Sequence, residues 1–414
     1  MPSPTPTLGL DLERNLRLVP LHQALTRALA WIPVFVLFTR ARFDLDGALL
    51  LAALYYLFVV VLEVPSGWMS DRLGRVLTMR VAAVCWIVAQ LCFTFGDDRF
   101  AVIALGQFML AGGFASLSGT DVTFHFDTLE SLGLQGEYTR REARVASIGF
   151  AATAASAVAG GALGMFDLRW AFVVSLVMAV IQLGVTMRLV EPPVTHRADP
   201  FVRQIRLCVS YLRQRYLGWI FFYGVVLVTL EHVAFTLMQP WLTEVFDRTA
   251  DDVGATPLFA GVLYATTAII GAGAARASAP LAERFGIVAT LIGLAGVSAA
   301  IVTGMALWVH AAMLMLVVFR SAQSAAAHVL IGAAIAPLTE RRHRATVLSL
   351  NSLAGRLGYG AILLVVASDA NDDVRGVLGA LAVTSWSLVV VLLATAAWAV
   401  GLRGRPRSNV TRCW

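Results

Sequence analysis

Charge is scarce in this chain. Asp, Glu, Lys and Arg make up 14% of its 414 residues and hydrophobic residues 58%, whereas an ordinary soluble domain carries roughly 25% charged residues. So little polar surface cannot cover a globule, which excludes a set of soluble domains, and the mean hydropathy of +0.75 agrees: this is a membrane protein. Lysine is absent, all 32 basic residues being arginine; the absence reads as coding bias, although arginine is also the better partner for bidentate pairing with a carboxylate. The net charge of +6 would suit nucleic acid only if the basic residues shared one soluble face. Here they sit in short loops between apolar runs, so no nucleic-acid partner is expected. Cysteine is rare: Cys85 and Cys92 lie in one apolar run, Cys208 in a linker and Cys413 at the C-terminus, a spacing that fits neither zinc nor a disulfide framework. The first twenty residues are rich in Pro and Thr and then charged. They lack the apolar core and small-residue cleavage site of a signal peptide, so the N-terminus is expected to stay on.

What is present is a series of apolar runs, beginning near Leu21, Gly47, Val76, Phe100, Ala143, Trp170, Leu217, Pro257, Ile287, Ala311, Ala345 and Val377, each bounded by charge or by Gly and Pro. At about 20 residues per crossing, these make twelve transmembrane helices and leave room for little else. With the N-terminus inside, the inner segments hold 23 arginines and the outer segments 6, while Arg27, Arg320 and Arg356 fall within spans. The positive-inside rule then puts both termini in the cytoplasm. The longest inner segment, Glu191 to Tyr216, divides the spans six and six. The expected organisation is a tail over 1–20, a six-helix bundle over 21–190, a linker over 191–216, a second six-helix bundle over 217–402 and a tail over 403–414. In the linker Phe201, Ile205, Cys208 and Leu212 recur at helical spacing beside Arg203, Arg206 and Arg213, as an interfacial helix requires; a solvated linker with chance periodicity is the alternative.

The halves repeat each other. Gly67-Trp68-Met69-Ser70-Asp71-Arg72-Leu73-Gly74-Arg75 follows the second span, and Ala279-Pro280-Leu281-Ala282-Glu283-Arg284-Phe285-Gly286-Ile287 follows the eighth, sharing an acid-Arg-x-Gly core. Arg140, Arg141 and Arg144 open the fifth span as Arg341, Arg342 and Arg344 open the eleventh. Parallel six-helix repeats of this kind characterise one large class of secondary transporters.

The pattern Gly67-x-x-x-Asp71-Arg72-x-Gly74-Arg75, placed after the second of twelve spans with a degenerate copy after the eighth, resembles the signature of the major facilitator superfamily, and the resemblance covers nearly the whole chain. Glycines allow a tight loop, and the carboxylate can cap a helix N-terminus or pair with arginine. Leu62-Glu63-Val64-Pro65-Ser66-Gly67, the stretch Ser118-Gly119-Thr120-Asp121 to Phe126-Asp127-Thr128-Leu129, Gln239-Pro240-Trp241-Leu242 and Arg344-Ala345-Thr346-Val347-Leu348-Ser349 look like a bacterial, efflux-like branch of that superfamily. Two features depart from its drug-proton antiporters: Gln107 and Phe108 stand where many carry an arginine early in helix four, and the Gly-Pro-rich signature of helix five is reduced to Gly160-Gly161. The resemblance implies an all-α fold of two six-helix repeats in a bacterial cytoplasmic membrane, a small-molecule cargo, and helices one, four, seven and ten lining a central cavity. It also implies that Gly67, Asp71, Arg72, Gly74 and Arg75, with Asp127 at the inner end of the fourth span, form an inner gate. No cofactor is expected beyond a proton gradient as energy source; the expected state is a monomer in contact with lipid.

Ionisable groups within spans cost roughly 2.5–3.5 kcal/mol each on insertion, so each needs a cavity or a partner. Depth suggests a cluster of Arg27, Glu63 and Asp121, with His125 four residues after Asp121 on the same face. In the second half Glu231 and His232 lie on the seventh span, Arg320, Gln323, Ser324 and His328 form one stripe on the tenth, and Asn351 and Arg356 lie on the eleventh. The expected substrate and proton pathway is therefore Arg27, Glu63, Asp121, His125, Glu231, His232, Arg320, Gln323 and Arg356. The competing account makes these groups inter-helix salt bridges, and the histidines His125, His232 and His328 merely hydrogen-bonded. Trp31, Trp219 and Trp241 read as interfacial anchors.

The leading function is a secondary transporter that rocks its halves about a midplane site and exports a small molecule against proton entry; a proton-coupled importer or facilitator of a metabolite is the alternative. An intramembrane enzyme holding magnesium through Asp121 and Asp127 is the competitor from another class. Six residues rotate a helix by about 600°, which puts those carboxylates on opposing faces, so no enzyme is expected. A transporter-like receptor would be marked by an added soluble domain, and none is read in the sequence.

Overall fold

A computed structural model describes residues 6–193, 206, 209–246, 254–335, 338–339, 344–367 and 373–400. All regular structure among the described residues is helical. Span one covers Gly9–Arg40, span two Leu45–Leu73, span three Arg75–Phe95, span four Phe100–Ser131, span five Arg140–Gly164 and span six Arg169–Thr186. Span seven covers Arg215–Val245, span eight Thr256–Ala275, span nine Ile287–Leu307, span ten Ala311–Ile335 and span twelve Val374–Ala399. These 11 are long and apolar enough to cross a bilayer. Span eleven, the helix Arg344–Ala367, carries a shorter apolar stretch, Leu350–Val365.

The first helix starts at Pro6, so most of the segment expected as a tail is helical. Leu12 and Asn15 are buried, and Asn15 closes on the end of span six through Nδ2 to the Val190 carbonyl (2.7 Å) and Oδ1 from the Val190 N–H (3.0 Å). The expected linker helix falls largely outside the described residues.

Sequence explains where the spans begin and stop. Asp44 caps span two by accepting from the Gly47 N–H at 2.8 Å, satisfying one of the orphan donors of a helix start. Gly74, with φ 108°, ends span two and starts span three; the second repeat turns on Gly286, φ 82°. At Gly74 a β-carbon would also lie 3.0 Å from the Glu191 carboxylate. Both repeats thus keep a backbone conformation that favours glycine.

Three spans are interrupted. Span one is a helix to Arg27, then a 3-10 turn over Ile32–Val34 and a short helix over Phe35–Arg40; Pro33 has no N–H to continue the ladder. Span four breaks at Ser118 and Gly119, the latter at φ 75°, before a separate helix Thr120–Ser131. Span ten passes through a 3-10 turn at Val318–Ser321 before the helix Ala322–Ile335.

Each half packs around its own core, one built on Met79, Trp86, Phe93, Phe124 and Phe172 and the other on Trp219, Tyr223, Leu291 and Leu330. The halves meet where span two packs on span eleven and span five on span eight. Because the repeat relates span two to span eight and span five to span eleven, these two seams are equivalents of each other. Backbones touch there: a β-carbon on Gly161 would collide with the Pro257 carbonyl, and one on Gly261 with the Ala157 carbonyl. Small residues are what permits such helix approach in a membrane.

Trp31, Trp219 and Trp241 are not interfacial anchors. All three are buried, and two spend their indole N–H inside the protein: Trp219 on the Leu392 carbonyl (3.3 Å) and Trp241 on the Met305 carbonyl (3.0 Å).

Candidate functional site

A cavity of about 400 Å³ lies between the halves. Spans one, two and four supply Leu29, Trp31, Phe35, Tyr55, Tyr56 and Phe114, with Gln107 as their amide. Spans seven, eight, ten and eleven supply Glu231, His232, Thr236, Tyr264, Arg320 and Arg356. Glu231 accepts a hydrogen bond from Ser324 Oγ at 2.9 Å. His232 donates from Nδ1 to the Val228 carbonyl at 2.7 Å, which leaves Nε2 as its second polar atom. The His232 ring meets Tyr56 edge-on with centroids 5.1 Å apart. Tyr359 lies behind it, donating to the His232 carbonyl at 2.9 Å and lying 2.8 Å from Thr236 Oγ1.

Four of the nine expected pathway residues line this cavity: Glu231, His232, Arg320 and Arg356. Of the expected cluster, Arg27 and Asp121 lie within reach of each other's charge, but Glu63 leaves it. Glu63 Oε2 pairs across the halves with Arg356 Nη1 at 3.6 Å, and its Oε1 accepts from Ser118 Oγ at 3.2 Å. Arg27 sits at the end of the first helix, its carbonyl accepting from Thr153 Oγ1 at 3.1 Å. Asp121 Oδ1 accepts from the N–H of Val122 at 2.8 Å, at the start of the separate helix that follows the break in span four. His125 pairs with Glu142 on span five at 2.6 Å rather than with Asp121. The stripe on span ten also divides: Arg320 stands on the 3-10 turn and faces the cavity, Gln323 is buried outside it, and His328 is exposed with Nδ1 on the Ser324 carbonyl at 2.7 Å. Asn351 donates to the Phe221 carbonyl at 2.6 Å and serves packing within the second half.

The signature residues assemble at one end of the first half. Arg75 Nη1 lies 2.6 Å from Asp71 Oδ1 and 2.8 Å from Ser70 Oγ, and its Nε lies 3.6 Å from Asp127 Oδ2. Arg72 is exposed, and at Gly67 nothing lies within 4 Å of where a β-carbon would be. Sequence reasoning missed Glu191. Its two oxygens accept from the N–H groups of Arg75 and Val76, each at 2.7 Å, so it, and not Asp71, caps span three. Its signal was only an acid directly after span six. In the loop before span five the hydrogen bond from Arg141, with the charges of Arg141 and Arg140, holds the Glu137 carboxyl below its ordinary range, so this pair stays ionised at neutral pH.

Gln239 closes the opposite end. Its Oε1 accepts from the N–H groups of Val36 (2.8 Å) and Leu37 (3.1 Å), and its Nε2 donates to the Ile32 carbonyl (2.9 Å). A side chain of the second half thus satisfies the backbone that the break in span one leaves open.

The family model of the Major Facilitator Superfamily matches residues 23–362. The chain belongs to the Major Facilitator Superfamily. It is therefore a multi-pass membrane transporter and not an enzyme, and Asp121 and Asp127 accordingly serve different partners, the first its own helix start and the second Arg75. No curated protein matches the sequence. Among solved structures this facilitator resembles the nucleoside transporter NupG, with TM-score 0.70 and 14% identity over 94% of this chain and 99% of that one. It resembles an auto-inhibited POT family peptide transporter with TM-score 0.68 and 13% identity over 97% and 99%. A bacterial homolog of the human lysosomal transporter Spinster, in an inward-facing and unoccupied conformation, gives TM-score 0.61 and 14% identity over 96% and 97%. At such identities the likeness concerns the fold.

Proposed function

We propose that this facilitator moves a small organic molecule across a bacterial cytoplasmic membrane by alternating access, coupled to proton entry and in the direction of export. The observation that carries the reading is a cavity at the seam of two repeats with Glu231, Arg320 and Arg356 on its wall; an intramembrane carboxylate beside cations supports proton-linked transport. Export rests on the branch that the motifs resemble. Gln107 at the place of the antiporter arginine favours a second reading, proton-coupled uptake. The test is reconstitution in liposomes with an internal pH dye and a cargo panel under both gradient directions. Proton flux that appears only with one compound supports coupling, its sign decides between export and uptake, and cargo movement that ignores the gradient overturns coupling.

Both termini face the cytoplasm in this reading. On a cysteine-free background, Gly136→Cys, in the exposed loop before span five, should resist a membrane-impermeant maleimide added to intact cells, and Asp98→Cys, in the exposed loop before span four, should react. The reverse pattern inverts the topology.

Asp71, Arg75 and Asp127 serve as a gate in this reading. Exposed ion pairs contribute about 0–1 kcal/mol each, enough to shift a conformational equilibrium. Asp71→Asn should therefore slow every cargo alike by a few-fold, with cargo affinity nearly unchanged. Loss of affinity for one cargo alone would place Asp71 in a recognition site.

A further inference from the structure

The two walls of the cavity differ in kind. The wall from the first half is apolar and aromatic, with Trp31, Phe35, Tyr55 and Phe114 presenting rings, Tyr55 edge-on to Phe114 at 6.3 Å and Trp31 edge-on to Phe35 at 5.4 Å. The wall from the second half carries every charge that faces the cavity: Glu231, Arg320 and Arg356. Glu63 stands just behind, on Arg356 at 3.6 Å. Two carboxylates and two guanidiniums make this region neutral in sum, with Glu63 of the first half standing behind the charged wall of the second.

Resting on the transport reading above, we infer that the cargo is a compact aryl zwitterion, an aromatic body whose single polar end bears both an amine and an acid group. The amine faces Glu231, the acid group faces Arg320 and Arg356, and the ring lies against Tyr55 and Phe114. Guanidinium groups favour planar, bidentate anions such as carboxylates. A cargo with a lone cation would set that charge against two arginines, and one with a lone anion would compete with Glu231 for the charge of Arg320 and offer the carboxylate nothing in return. A neutral polar molecule would strip water from Glu231, Arg320 and Arg356 and return no charge-assisted bond in its place. An aliphatic zwitterion would leave the aromatic wall wet. The volume of about 400 Å³ stands at the small end of ligand pockets, which run to roughly 1,000 Å³, so one single or fused ring with its head fits and long chains do not.

The experiment compares four probes on the intact, purified transporter: phenylalanine, phenethylamine, 3-phenylpropionate and alanine, each titrated while thermal unfolding is followed. Phenylalanine should stabilise the protein with an apparent affinity about tenfold or more above each of the other three, because each lacks one matched group. Equal stabilisation by phenethylamine or 3-phenylpropionate overturns the zwitterionic head, equal stabilisation by alanine overturns the aromatic body, and no stabilisation by phenylalanine overturns the class. Glu231→Gln should reverse the order, so that 3-phenylpropionate binds tighter than phenylalanine. Where that variant does not fold, Tyr55→Ala should weaken phenylalanine and leave alanine unchanged; unchanged phenylalanine affinity counts against the inference. Flux separates the two levels: proton-linked movement of a different cargo class leaves the transport reading standing and sinks this one, whereas phenylalanine binding without proton movement does the opposite.

Discussion

Glu231→Gln should abolish gradient-driven accumulation of cargo while cargo-for-cargo exchange continues. With one proton per cycle, a cargo gradient of about tenfold per pH unit, the equivalent of about 1.4 kcal/mol, should fall to none. Glutamine keeps the shape of the side chain and an oxygen to accept from Ser324 Oγ, now 2.9 Å from Glu231 Oε1, so the cavity survives while titration is lost; because the charge inferred to meet the cargo amine goes with it, exchange is read at a cargo concentration that saturates the variant. A carboxyl's proton affinity is set by its solvation and by nearby charge. In the mechanism proposed above alternating access changes both, because Glu231 would open to one aqueous phase and then the other while Arg320 stays on the same wall. Transport assays in liposomes under an imposed pH gradient, with counterflow as the control, separate the two activities. Accumulation that persists in the variant moves coupling elsewhere, with Asp121 the next residue to replace.

That Glu231 and Arg320 share one wall was legible from depth along two helices, the spans were legible from their apolar runs, and the six-helix repeat was legible from the paired motifs after spans two and eight. What depth arguments missed came from interruptions in the helices. Counting residues along span four puts Asp121 and His125 on the face that continues from Gln107, but the backbone turns at Gly119, φ 75°, and His125 goes to Glu142 instead. The same limit hid the aromatic wall: Tyr55 and Tyr56 read as ordinary apolar positions because nothing in a run of hydrophobic residues marks the face that meets the other half. Glu63 was expected within its own half and instead reaches Arg356, a pairing between spans two and eleven that only the seam of the repeats defines. The signature cluster was the most readable part, since Asp71, Arg75 and Asp127 are close in the repeat and at one depth.

Gln239→Leu should open the end of the transporter that lies away from the signature loop. Leucine fills the same buried volume but leaves two N–H groups, of Val36 and Leu37, and the Ile32 carbonyl without the partners they have now. A buried group stripped of its partner costs about 1–3 kcal/mol, so the closed end loses about 3 kcal/mol, close to a hundredfold change in a two-state equilibrium. Ala53→Cys reports this, because Ala53 is buried on span two near Gly360 of span eleven. In a cysteine-free background its alkylation from that side should accelerate about a hundredfold when Gln239→Leu is added, the same population shift. An unchanged rate shows that Gln239 braces span one without governing closure.

The backbone contacts of Gly161 and Gly261 carry a consequence for the conditions under which the protein works. Away from the signature loop, glycine-lined backbone and one uncharged amide join the halves with no ionised group among these contacts, while beside them the charge of Arg40 on span one acts on Glu244 of span seven, which also pairs with Arg375 at 3.5 Å. Dissolved salt screens charges over about 10 Å at 0.1 M; it leaves the glycine and amide contacts untouched and acts at this end only on Glu244 and the arginines near it. At the opposite end the exposed carboxylate of Asp71 pairs with Arg75 within the first half, the contact proposed above as a gate. Ionic strength on the signature side should therefore tune turnover more steeply than ionic strength on the other side, so that the two faces of one membrane protein answer differently to the same electrolyte.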